Sequence, residues 1–229
     1  MPIALITGAA KRIGKIISLN LAQNGWDLLL HYNSSKAEAE ELKRTVEKSG
    51  IKAELLHCDF RNLDNIEHLI QQDNLDLLIN NASSFENDNI NNFFYEDIAN
   101  KLKINLIAPM LLTKAFVKKS VNVSNPNIIN ILDCEIKNIP SNFISYNITK
   151  NALAHFTKIA AKNLAPTIRV NGIALGHTVK NPKQSEENFN KAIQYSLLKK
   201  NVSEKNLLDT IYYLIQNENL VGNIIFLEN

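Results

Sequence analysis

The sequence predicts an α/β fold: a doubly wound, seven-stranded parallel sheet with helices on both faces, formed by residues 1–229 as one domain. Three observations lead there. Short apolar runs recur along the whole chain, and longer segments with helical periodicity separate them. No Pro/Gly/Ser-rich linker, low-complexity tract or internal repeat breaks the alternation. Strands covered on both faces read as continuous apolar runs, and strand–helix alternation implies parallel pairing through helical crossovers.

Ile3 to Ile6 is the first strand, and the helix that follows, Ile13 to Asn24, stops at Gly25. Leu28 to Leu30 is the second strand, followed by a helix from Lys36 to Ser49 that Gly50 ends, since glycine accepts the backbone of a helix terminus. Leu55-Leu56 marks a third strand before a helix over Asn62 to Gln72. Leu75 to Ile79 leads into one long helix from Tyr95 to Ser120, and Ile128 to Leu132 into another from Phe143 to Leu164. Ile168 to Ile173, a helix over Glu204 to Gln216 and a last strand at Ile224 to Leu227 complete the series. The polar stretch 176–200 is the least regular. It reads as a solvated loop–helix insertion or as a lid over a site, and its place beyond the carboxyl end of a strand favours the lid.

Composition narrows the function. A formal net charge of +2, with 45% hydrophobic and 21% charged residues, argues against a nucleic-acid or acidic-membrane partner. No apolar run approaches the ~20 residues of a membrane-spanning helix. The opening residues read directly as a strand and a turn rather than as a cleavable leader, so a cytoplasmic protein is expected. Cys58 and Cys134 each follow an apolar run and read as free thiols in a reducing compartment. His31, His57, His68, His155 and His177 form no pair at metal-ligand spacing, so no metal site is expected.

Two local patterns carry chemistry. The first strand runs into Thr7-Gly8-Ala9-Ala10-Lys11-Arg12-Ile13-Gly14 and then a helix. Gly8 permits a tight turn, Gly14 lets the helix pack closely on the strand, and the helix N-terminus offers free N–H groups to a pyrophosphate. That context is the test for a Rossmann-type dinucleotide site. The second strand ends His31-Tyr32-Asn33-Ser34-Ser35-Lys36, without the carboxylate that would hold a ribose 2′-hydroxyl. Hydroxyls, an imidazolium at His31 and the cations Lys11 and Arg12 suit a 2′-phosphate, so NADP(H) is the expected cofactor. The second pattern is Tyr146 and Lys150, which share a helix face at i and i+4. The ammonium is expected to favour the ionised phenol, bringing a proton that normally leaves near pH 10 within reach of neutral chemistry.

Together these pieces resemble the short-chain dehydrogenase/reductase family along nearly the whole chain. Thr7 to Gly14 matches its cofactor turn, Cys58-Asp59-Phe60 the segment after its third strand, and Asn80-Asn81-Ala82 the motif after its fourth. Asn105 matches its active-site asparagine, Tyr146 and Lys150 its catalytic pair, and Arg169-Val170-Asn171-Gly172 its sixth strand. The resemblance implies that Asp59 meets the adenine, that Phe60, Ala82 and Ser83 also line the cofactor site, and that Gly176 and Thr178 meet the nicotinamide end.

Within the family the details look most like pteridine reductases, including dihydromonapterin reductases. Arg12 replaces the middle glycine of the usual turn, Ser83-Ser84-Phe85 follows Asn80-Asn81-Ala82, and Asp133 stands where most of the family has a catalytic serine. The resemblance implies an NADPH-dependent dihydropteridine reductase. Arg12, Ser83, Phe85, Asp133 and Tyr146 would meet the pterin, with proton delivery by Tyr146, Lys150 and Asp133 and a structural and relay role for Asn105. From the residues alone, Phe85 reads equally as a packing aromatic, Asp133 as a turn cap and Ser83 as a backbone-bonding hydroxyl. A carbonyl reductase for 3-oxoacyl thioesters or small ketones, and a catalytically idle NADP(H)-binding regulator, are the competing readings. Three departures from the pattern stand out: Ser34 where an arginine is common, Leu175 where proline is usual, and an end at Leu227-Glu228-Asn229 that is expected to weaken tail contacts. Relatives imply a homo-oligomer, dimer or tetramer.

Overall fold

A computed structural model describes every residue except 65, 139, 182, 183 and 229, and the side chain of residue 68. Seven strands form one sheet: β1 (Ile3–Ile6), β2 (Asp27–Tyr32), β3 (Ala53–His57), β4 (Leu77–Asn80), β5 (Asn127–Asp133), β6 (Arg169–Leu175) and β7 (Ile224–Leu227). Their order is β3-β2-β1-β4-β5-β6-β7. Every pairing is parallel. Ile6 pairs with Leu30 on one side and with Ile79 on the other, so the winding reverses between β1 and β4. In doubly wound sheets the crevice at such a reversal is where ligands bind.

The strand period of two sorts the core into two layers. Ala4 and Ile6 of β1 point to one face, where they pack with Ile17 and Leu21 of α1 (Arg12–Gln23), Leu42 and Val46 of α2 (Lys36–Glu47), and Leu207 and Ile211 of α7 (Glu204–Gln216). Leu5, between them, points to the other face. It joins Leu112 and Phe116 of α4 (Ala108–Lys119) and Ala160 and Ala161 of α5 (Ile144–Leu164). The two faces are closed by helices that return the chain to the start of the next strand. The last helix, α7, begins and ends where its periodicity predicts.

Two expected helices differ. Over Asn62 to Gln72 only a short 3₁₀ segment, Ile66–Leu69, forms among the described residues; residue 65 of that stretch lies outside them. Here the chain turns on local bonds from side chains to the backbone two residues on. Asp59 Oδ1 accepts the Arg61 N–H at 3.0 Å, and Asn62 Oδ1 accepts that of Asp64 at 3.0 Å. The helix expected from Tyr95 to Ser120 is interrupted: α3 (Tyr95–Leu102) and α4 are joined by a π-turn, Lys103–Ile107. Pro109 has no N–H to return to Asn105, and a π-turn absorbs the missing bond. The 176–200 stretch carries the expected helix, α6 (Glu186–Tyr195); residues 182 and 183 of it lie outside the described residues.

Candidate active site

The switch-point crevice is built around Thr7. Its Oγ1 accepts the N–H groups of Asn81 and Ala82, each at 2.9 Å, which ties β1 to the loop after β4. The Asn81 amide donates to the carbonyls of Thr7 (2.9 Å) and Gly8 (3.2 Å), so Asn81 holds the turn in shape. Gly8 sits at φ +63, in the left-handed region, and a Cβ on Gly14 would lie 2.1 Å from the Gly8 carbonyl. Both glycines are therefore demanded by geometry. Lys11 precedes α1 without a side-chain cap, and no acid occupies the first turn, which leaves the helix N–H groups for an anion. Ile13 packs into the core beneath.

A cavity of about 230 Å³ opens from this turn across the ends of β2 and β3. Gly8, Lys11, His31, Tyr32, Asn33, Ser34, Ser35, Asp59, Phe60, Ala82 and Ser83, all named above as candidate cofactor residues, line it. The uncapped helix terminus, the close glycines and the hydroxyl-rich wall fit a dinucleotide. Asp59 is held by Arg61, whose Nε donates to it at 2.9 Å, and this bond keeps the carboxyl below its ordinary pKa.

One charge is corrected here. His31 is 2% exposed and stacks on Phe60 at 4.1 Å. Its Nδ1 accepts the Gly8 N–H at 3.1 Å, and its Nε2 donates to the Cys58 carbonyl at 3.0 Å. Those two bonds define a neutral tautomer, and burial lowers the pKa to about 4. His31 is a strut for the turn, and the expected imidazolium is absent. Arg12 is another cation expected at the 2′-phosphate. It adopts φ 49, a conformation that costs a non-glycine residue roughly 1–2 kcal/mol. Its guanidinium reaches the far side of the turn, donating to the Val179 carbonyl at 2.8 Å and acting electrostatically on Tyr146.

The side chains expected to react lie on that side. Tyr146, 7% exposed, donates its hydroxyl to Asp133 Oδ2 at 2.7 Å. Burial lifts the phenol well above its ordinary pKa of 10.0, and the charge and hydrogen bond of Asp133 add to the rise. The expectation of an ionised Tyr146 is overturned. Lys150 Nζ sits 5.7 Å from the tyrosine ring centroid and is engaged instead by the Ile131 carbonyl at 2.8 Å. Burial brings the ammonium down to about 8. Asp133 serves as both cap and partner: its Oδ1 accepts the Glu135 N–H at 2.9 Å while Oδ2 faces the phenol.

Asn105 lies in the π-turn and clamps the loop after β4. Its Oδ1 accepts from the Ser84 N–H (2.8 Å) and Ser83 hydroxyl (3.2 Å), and its Nδ2 donates to Ser84 O and Thr149 Oγ1, both at 3.0 Å. All of these bonds are internal, so Asn105 is a positioning residue. The clamp sets Phe85 edge-on to Tyr146, with ring centroids 4.7 Å apart. One face of Phe85 is covered by Phe143 at 4.5 Å. Thr178 bonds the Gly176 carbonyl at 3.2 Å and is nearly buried.

Several contributors escaped sequence reasoning. Asp88, Lys101 and Ser145 form a buried cluster beside Tyr146. Asp88 accepts from the Ser145 hydroxyl, from the Ser145 N–H at 3.1 Å and from Lys101 Nζ at 2.9 Å. Burial opposes the Asp88 charge, yet the bonds from Ser145 and Lys101 hold its carboxyl below the ordinary value. Phe143, at φ 52, and Thr149 were also missed. The position of Ser145 next to Tyr146 was the one available signal. Among the described residues no cluster able to hold a metal is present, and no helix is long and apolar enough to cross a membrane.

The chain is similar to known proteins. The profile of the short chain dehydrogenases matches residues 2–191. The uncharacterized oxidoreductase YmfI of Bacillus subtilis is 30% identical over 177 residues, covering 76% of this chain and 73% of its own. The 3-oxoacyl-[acyl-carrier-protein] reductase of Synechocystis is 29% identical over 180 residues, 76% of this chain and 73% of that one. The crystal structure of FolM alternative dihydrofolate reductase 1 from Brucella canis, complexed with NADP, aligns over 99% of this chain and 92% of its own with a TM-score of 0.92 and 28% identity.

Proposed function

The chain belongs to the short chain dehydrogenase family of oxidoreductases, and from that premise we propose that it is an NADPH-dependent dihydropteridine reductase. The observation that carries this reading is the Tyr146–Asp133 hydrogen bond of 2.7 Å beside the Phe85 ring. The resemblance to pteridine reductases rests on the same carboxylate, at a position where most of the family has serine. The likeness in fold to an alternative dihydrofolate reductase bound to NADP supports it.

Gly8, Lys11, Ser34, Ser35, Asp59, Ala82 and Ser83 would hold the nucleotide. The free N–H groups at the start of α1 would meet its phosphates, and Lys150, Gly176 and Thr178 its far end. When bound, NADPH supplies a hydride. Reducing a C=N bond also needs a proton on nitrogen. Tyr146 holds that proton: burial and Asp133 keep it as a neutral phenol at working pH. Lys150, with a pKa of about 8, is a buried cation at neutral pH that balances the Asp133 charge. Arg12, aimed at the Tyr146 side, and the Ser83 hydroxyl offer donors to a polar heterocycle. The uncovered side of Phe85 offers a flat apolar surface.

Oxidation of NADPH should be measured with dihydrobiopterin, dihydromonapterin, dihydrofolate and an acetoacetyl thioester. Turnover of a dihydropterin or of dihydrofolate is the expected result. The second reading, a carbonyl reductase, is favoured by the 3-oxoacyl reductase relative, and turnover of the thioester alone would establish it in place of the first. Cofactor binding without any turnover would leave an idle regulator. The reading carries with it a cytoplasmic setting, in keeping with the free thiols of Cys58 and Cys134. It also includes a homo-oligomer, dimer or tetramer, because α4 and α5 leave Met110, Ile148 and Ile159 exposed.

A further inference from the structure

At the mouth of the nucleotide cavity, Lys11 is already paired. Its Nζ lies 2.7 Å from Glu38 Oε1, with the two side chains 52% and 45% exposed. Glu38 stands in the first turn of α2, just past Ser34 and Ser35 on the cavity wall. The hydrogen bond from Lys11 holds its carboxyl below the ordinary pKa, so Glu38 is charged at neutral pH. The other cations near the crevice are engaged or neutral. His31 is uncharged, Arg61 is on Asp59, and Arg12 is on the Val179 carbonyl. Among the described residues lining the cavity, Lys11 carries the one permanent positive charge.

We propose that Glu38 is a specificity-determining residue: its carboxylate is the counter-ion that a ribose 2′-phosphate must displace from Lys11, and it thereby moderates the preference for the phosphorylated dinucleotide. The inference rests on the NADP(H) reading. Two effects act with the same sign. Glu38 occupies the ammonium that a phosphate dianion would use, and it places a negative charge beside the Ser34 and Ser35 hydroxyls where that dianion would arrive. A nucleotide without the 2′-phosphate has no need of Lys11 and meets neither effect. An exposed pair is screened by salt, so the discrimination should be strongest at low ionic strength.

Glu38→Gln keeps the size of the side chain and removes its charge. Isothermal titration with adenosine 2′,5′-bisphosphate and with adenosine 5′-monophosphate reads binding directly, without turnover. The variant is expected to bind the bisphosphate about two- to fivefold more tightly, with the gain fading in high salt, while the monophosphate changes little. In a Lys11→Met background the gain should shrink. An equal gain for both nucleotides, or no gain, overturns the inference. If the wild type prefers the bisphosphate and Glu38→Gln leaves that preference unchanged, the inference alone fails. If neither protein distinguishes the two nucleotides, the cofactor reading fails with it.

Discussion

The proposed reduction needs a proton donor that still has its proton, and the surroundings of Tyr146 keep one on its phenol. The phenol is buried and bonded to a carboxylate, and both effects disfavour phenolate. Replacing Tyr146 with Phe removes the donor and leaves the nucleotide cavity untouched. Turnover is expected to fall by about 10²-fold or more, with NADPH affinity within about twofold of wild type in a fluorescence titration. Unchanged turnover would remove Tyr146 from its role. His31 gives a second test at this scale. Its pKa is about 4 in the fold, against an ordinary 6.5, so between those values the unfolded chain binds the extra proton. Stability should therefore fall as pH drops through that window. The His31 contribution is a loss of about 2 kcal/mol between pH 7 and pH 5, read from urea midpoints, and this slope should flatten in His31→Gln. The Tyr146–Lys150 spacing was legible in the sequence, but the protonation state was not. Charge depends on desolvation and on a residue 13 positions away, neither of which spacing records.

At the scale of elements, the loop after β4 is the piece most in need of support, since it has no ladder of its own and yet carries Ser83 and Phe85. Two devices hold it. Asn105, displaced by the π-turn, clamps it at Ser84, and the buried Asp88–Lys101 pair anchors its far end to α3 and to the start of α5. Truncating one partner of such a pair strands a buried charge. Asp88→Ala should lower stability by about 3–5 kcal/mol in urea unfolding, and Asp88→Ala with Lys101→Met should recover much of the loss. Similar midpoints for the single and double variants would show that the charge pair is not what matters. Asn105 was visible in the sequence through its motif. Asp88 and Lys101 were not, because they lie 13 positions apart across loop and helix and no periodicity links the two. The helix expected over Asn62 to Gln72 had sound apolar spacing, but Asp59 and Asn62 bond the backbone two residues on, and the chain turns there instead.

For the whole molecule, the sheet order brings the ends of β1, β2, β4, β5 and β6 to one edge, which places the nucleotide cavity beside Tyr146 and Asp133. The same packing leaves Met110, Ile148 and Ile159 at 41%, 59% and 47% exposure on α4 and α5. Sedimentation of the wild type is expected to show an assembly of two or four chains. Ile148→Glu with Ile159→Glu should shift it to single chains with the helix content unchanged. A wild-type protein that sediments as a single chain would sink the oligomer reading.

By itself, the sequence determined the alternation of seven apolar strands with their helices, the glycine turn and the spacing of Tyr146 and Lys150, while its resemblance to the family pointed to Asp133 and Asn105. The first three follow from local periodicity, from the steric demands of Gly8 and Gly14, and from residues close together in the chain. Only the tertiary structure decided which charges the site keeps. It made His31 neutral, turned Arg12 toward Tyr146, gave Lys11 to Glu38 and set Asp133 against the phenol. The reason is physical: charge and hydrogen bonding are set by burial and by neighbours brought together through the sheet. Those neighbours are chosen by strand order, which no single segment of the chain contains.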